Sequence, residues 1–170
     1  MWAPLGLHVF ASLSKRLCSP NPFQRPRSLL SVAAYSSLIL IPIHVLVNRL
    51  YPTLDLLPID SLGPSELDYE FVKFGLQQWP IRSTLFYALL SGLTSLHIVE
   101  GAGIVIKRWG YPMYQLWNKR NVHLRRLLGL TGAIAALSGV LVLASEPIIS
   151  LHSTLHRFRA VYEHSLLYRL

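Results

Sequence analysis

A chain of 170 residues has room for one domain. It is 52% hydrophobic and 14% charged, against about a quarter charged in soluble domains, so a fully solvated surface is excluded. The net charge of +8 would suggest nucleic acid in a soluble protein, but here the Lys and Arg flank apolar runs, so no nucleic-acid partner is expected. Cys18 is the single cysteine, which excludes an intrachain disulfide or a CxxC site.

Residues 1–28 read as a basic N-terminal arm. No acid precedes Asp55, and the arm mixes Arg, Lys, Ser and apolar residues. Two readings fit: a mitochondrial transit peptide, or a short arm ahead of a membrane anchor. Pro20, Pro22 and Pro26 weigh toward the second, because proline breaks a presequence helix.

The first apolar run, 29–47, lies between Arg27 and Arg49, is uncharged, and carries Pro42 and His44 toward its far end. The second, 83–106, is closed by Lys107 and Arg108 and holds His97 and Glu100. The third, 127–145, is entered after Arg125 and Arg126 and left at Glu146 and Pro147. Each approaches the roughly 20 residues that cross about 30 Å of hydrocarbon.

Between the first two runs, Ser65 and Asp68 read as a capping box. Residues 66–79 follow as an amphipathic helix with Leu67, Phe71, Phe74 and Leu76 apolar, ended by Pro80. Tyr69, Trp79 and Tyr87 are expected near the headgroups. The tail repeats Leu151, Leu155, Phe158, Tyr162 and Leu166 at helical spacing and is expected on the membrane surface. The predicted fold is all-α: a membrane-embedded bundle of three transmembrane helices with amphipathic interfacial helices. Its parts are the arm over 1–28, the three-span domain over 29–148 and the tail helix over 149–170.

Three spans place the N-terminus and the loop after span two on one side. That side carries ten of the sixteen Lys and Arg residues and no acid, which predicts that it faces the cytosol.

His97 and Glu100 share one face of span two. A buried acid costs roughly 2.5 kcal/mol or more, so Glu100 needs a partner or a watery cavity. One reading is a polar site in the bundle for a ligand or proton. The plainer one is an interhelical hydrogen bond to His44 or a serine. His44 and His97, on different spans, also raise bis-histidine haem ligation, though at opposed depths. His152 and His156 could face one metal, but no third ligand is evident and no metal site is expected. Ser91 with Ser95, Gly132 with Ala136, and Ala135 with Gly139 permit close helix approach. There is no Walker loop, GxSxG, HExxH or EF-hand loop, and catalysis is not expected. Trp109, Tyr111, Tyr114 and Trp117, interleaved with Lys and Arg, read as interfacial anchors.

The stretch FYALLSGLTSLHIVEGAGIVIKRWG resembles the transmembrane domain of the fungal Mcp-type mitochondrial adaptor proteins. The signature is His97 followed four residues later by Gly101, then Lys107, Arg108 and Trp109. The segments IPIHVLVNRLYP with His44, LDYEFVKFGLQQWP and VYEHSLLYRL extend the resemblance over about residues 29–170. It implies a multi-pass protein of the mitochondrial outer membrane that acts in lipid homeostasis. It also implies recruitment of a lipid-transfer protein to organelle contacts through a Pro-x-Pro motif, which Pro20 and Pro22 would supply. Membrane lipids are the other expected partner. The intramembrane candidates are thus His44, His97, Glu100 and Gly101. The domain is also distantly similar to cytochrome b anchor subunits of succinate dehydrogenase, whose haem-ligating histidine position is Ile104 here. A haem-binding anchor is therefore the alternative function.

Overall fold

The computed structural model describes residues 2–20, 28–109 and 122–169. Among them the chain is all-helical. Three helices are long and apolar enough to cross a membrane: α2 (Leu29–Val45) with the turns that continue it to Thr53, α4 (Pro80–Trp109) and α5 (Val122–Ser145). Only 17%, 0% and 11% of their most apolar windows are buried inside the protein, so most of that surface needs lipid. Ahead of them the arm forms α1 (Trp2–Leu17).

α4 is the central span, packed on α2 along one side and α5 along another. Small residues bring the pairs together. A side chain at Gly129 would lie 3.6 Å from Val99 and 3.7 Å from the Ser95 carbonyl, and one at Gly132 would lie 3.5 Å from Ser95 Oγ. Such close approach drives helix association where lipid is as apolar as leucine. Ser28 caps α2, its hydroxyl accepting from the Ser31 N–H at 3.2 Å. Pro42 sits within α2, and the helix widens downstream into a π turn over Leu46–Leu50. There Asn48 Nδ2 donates to the His44 carbonyl at 2.9 Å. A short 3-10 turn, Tyr51–Thr53, completes the exit.

Beyond that exit, α3 (Tyr69–Gln78), α6 (His152–His164), α7 (Leu166–Arg169) and the loop after span one build a cap. α3 begins three residues later than the Ser65–Asp68 box implied. Asp68 itself is the N-cap, accepting from the Glu70 N–H at 2.8 Å. Pro80 opens α4 directly after Trp79, a first-turn position where its missing N–H costs nothing. The two amphipathic helices turn their apolar stripes on each other. Phe71 stacks on Tyr162 with centroids 4.7 Å apart and meets Phe158 edge-on at 5.2 Å. Trp79 joins this cluster, 5.5 Å from Tyr162 and 5.3 Å from Tyr168. Each such pair contributes about 0.5–1.5 kcal/mol beyond area burial.

The tail breaks at Ser165, whose hydroxyl accepts from the Leu167 N–H, and the short α7 returns Tyr168 to the core. Tyr162 is fully enclosed, and its hydroxyl donates to the Phe71 carbonyl at 3.1 Å. Burial raises the Tyr162 and Tyr168 phenols above their usual range, so both stay protonated.

Candidate functional site

The sequence-predicted polar residues of the bundle do not converge. His44 lies at the cap end, its Nδ1 accepting from Asn48 Nδ2 at 3.3 Å and its ring 6.2 Å from Tyr87. His97 lies ten residues further along α4 than Tyr87, about 15 Å of helix. Its ring meets His8 of α1 edge-on at 5.9 Å, while its Nδ1 is buried without a hydrogen-bond partner. The two histidines therefore sit at different levels and do not bracket one haem position. Gly101 faces Leu30 of α2, with an added side chain 3.8 Å from that leucine.

Glu100 pairs with neither His44 nor a serine. Its carboxylate lies 3.6 Å from Arg125 and 4.0 Å from Arg126, at the start of α5. Glu100 and Arg125 are largely enclosed, their side chains 17% and 13% exposed, so the acid predicted to need a partner has one across the α4–α5 seam. The signal lay in the sequence: antiparallel neighbours bring the end of span two beside the Arg-Arg that opens span three. Replacing Glu100 by Gln is expected to weaken the α4–α5 pairing by about 1 kcal/mol, read by unfolding in bicelles.

Between α4 and α5 an open groove of about 300 Å³ is lined by Tyr87, Ser91, Thr94, Ser95, Ala136 and Val140. Almost all of the exposed lining of this groove is apolar.

Sequence reasoning missed the ion cluster that ties the cap to the bundle. Lys73 on α3 is buried and bonds Glu70 at 2.9 Å and Glu146 at 2.8 Å, just beyond α5. Glu70 Oε2 accepts from the backbone of Ile149 at 2.7 Å and of Ser150 at 3.2 Å. The Lys73 ammonium and those N–H groups hold the Glu70 carboxyl down to about 2. Both carboxylates in turn raise Lys73. A second tie joins Arg157 of α6 to Glu66, with the guanidinium also donating to the Ile59 carbonyl at 2.9 Å and the Asp60 carbonyl at 3.0 Å. The Gly63 N–H and Arg157 together lower the Glu66 carboxyl. Helical spacing offers Glu70 with Lys73, three apart, but gives no sign of Glu146, Ile149 and Ser150 as their partners or of the Arg157–Glu66 tie, which lie far apart in the chain.

His152 and His156 are exposed on α6, away from the bundle. Pro20 is exposed just beyond α1, while Pro22 and most of the basic loop after span two, including Tyr111, Tyr114 and Trp117, lie outside the described residues.

Three apolar spans, an ion pair across the α4–α5 seam and a folded cap define a multi-pass integral membrane protein. A family model, MDM10-complementing protein 1, transmembrane domain, matches residues 39–147, and the chain belongs to that family. The match begins within α2 and ends just beyond α5, so it covers the greater part of the bundle and the α3 side of the cap. No curated protein and no solved structure matches the chain.

Proposed function

We propose that the protein is a non-catalytic scaffold of the mitochondrial outer membrane that acts in lipid homeostasis and recruits a lipid-transfer protein at organelle contacts. The family match supports the mitochondrial membrane setting. The observation that carries the non-catalytic reading is the dispersal of the bundle's polar groups. His44, His97 and Glu100 each engage a different local neighbour, and no cleft gathers them around a reacting atom. The resemblance supplies the adaptor role, and Pro20 with Pro22 supplies its docking segment.

The test is co-purification of a bridge-like lipid-transfer protein with the full chain from mitochondrial membranes. Substituting both Pro20 and Pro22 by Ala is expected to abolish recovery of that partner and leave the amount of membrane-inserted protein unchanged. Undiminished recovery would remove the segment from the adaptor reading. The haem-anchor alternative predicts a Soret band in the purified protein that is lost in His97→Ala; we expect no such band.

A further inference from the structure

α1 presents its polar edge to the bundle and its apolar stripe outward. His8 meets His97 of α4, and the Arg16 guanidinium lies 5.0 Å above the Tyr35 ring of α2. On the outer side Leu7, Phe10 and Leu17 are 67%, 71% and 67% exposed, with Leu13 beside them. Three and four residues apart, these four side chains make one stripe. This is the reverse of a helix packed on a protein in water, where the stripe would turn inward.

The two contacts also fix how α1 lies. Gly101 of α4 and Leu30 of α2 are level with each other. His97 is four residues deeper than Gly101 and Tyr35 five deeper than Leu30, about 6 Å and 7.5 Å at helical rise. α1 therefore touches both spans at nearly one depth and crosses them, rather than running alongside. With 16 residues, about 24 Å long, it is too short to span. Its last turn carries Lys15 and Arg16, and it contains no acid.

We propose that α1 is an in-plane membrane helix: its stripe of Leu7, Phe10, Leu13 and Leu17 lies in the acyl region of one leaflet, and Lys15 faces anionic phospholipid headgroups. Tyr35 lies six residues inside the start of α2 and His97 nine inside Ile106, about 9 Å and 13.5 Å at helical rise, so α1 lies within one leaflet's share of about 30 Å of hydrocarbon. The charge complementarity selects an acidic lipid surface over a protein partner. The bundle holds the polar edge, so the helix has a fixed place beside α2 and α4. This proposal does not depend on the adaptor reading.

The test uses the full chain in nanodiscs of phosphatidylcholine and phosphatidylserine, with Cys18→Ser and one environment-sensitive fluorophore at Phe10→Cys. Leu141→Cys, on the exposed face of α5, is the lipid-facing reference, and Leu57→Cys, on the cap, the solvent reference. We expect the Phe10 label to lose most of its emission to brominated acyl chains, as the Leu141 label does, and to resist aqueous iodide. Iodide quenching at the level of the Leu57 label, with no quenching by brominated lipid, would overturn the proposal. So would removal of residues 2–17 from the mature protein in its native membrane, which would make α1 a targeting segment.

Discussion

Gly75→Ala is expected to unseat the cap while leaving the spans in place. Gly75 is buried on α3 directly beneath the Tyr162 ring, and a Cβ there would come within 2.7 Å of ring carbon Cε1, with the hydroxyl and Cζ nearer still. No rotation of a rigid ring relieves three such contacts. Tyr162 is held by its hydrogen bond to the Phe71 carbonyl and by Phe71, Trp79 and Tyr168 around it. Overpacking a tight core costs about 1–3 kcal/mol, and this site belongs at the upper end, since an aromatic cluster must shift as a unit. The expected result is a lowered cap melting temperature and rapid proteolysis within 146–169, while helical content from the spans persists. Gly75→Ala combined with Tyr162→Ala should cost much less than the sum of the two, because the collision vanishes with the ring. Additive costs would contradict the close approach.

The second large effect is expected at Glu70→Gln. Glu70 is the junction between α3 and the segment that leaves α5: one oxygen bonds Lys73, the other accepts from Ile149 and Ser150. The amide keeps the volume and removes the charge. The NH2 then faces either Lys73, leaving that ammonium with Glu146 alone, or the Ile149 and Ser150 N–H groups, which both lose their acceptor. Detachment of 146–151 from α3 should follow, with a melting temperature lower by several degrees and protease cleavage near Ile149.

The same clasp gives a pH dependence. The folded state holds Glu70 near 2, below the ordinary 4.5, so its stabilisation is complete above about 4.5 and is lost as pH falls toward 2. The melting temperature of the wild type should therefore drop across that interval. The slope should be shallower in Glu70→Gln; an unchanged slope would place the acid sensitivity elsewhere.

The spans were legible because hydrocarbon imposes length and composition on a contiguous run. Their edges were less so. α4 starts at Pro80 rather than residue 83, and α5 at Val122 rather than 127, because the flanking Arg side chains are part of the helices while reaching for charge or headgroups. The stripes of α3 and α6 were read correctly as amphipathic, but periodicity says only that one face seeks cover. Whether lipid or another helix supplies it is a tertiary matter, and here Phe158 and Tyr162 cover Phe71 and Phe74.

For the intramembrane residues, the need of Glu100 for a partner was legible, while its choice of Arg125 required knowing that α4 and α5 are neighbours. His44 and His97 share a residue type, and depth along the helices sets them apart. The helical fold of the arm was obscured by the prolines beyond it. The helix ends at Leu17, three residues before Pro20.

Three spans place the segment after α1 and the cap on opposite sides of one membrane. Cys18 is the sole cysteine and is exposed, so the native chain already carries one probe. Leu57→Cys in a Cys18→Ser background, at a position 89% exposed on the cap, supplies the other. Each protein is treated with a membrane-impermeant maleimide in intact organelles and again after permeabilisation. A three-span bundle predicts that one of the two sites labels at once and the other only after permeabilisation. Labelling of both before permeabilisation would contradict the three-span arrangement.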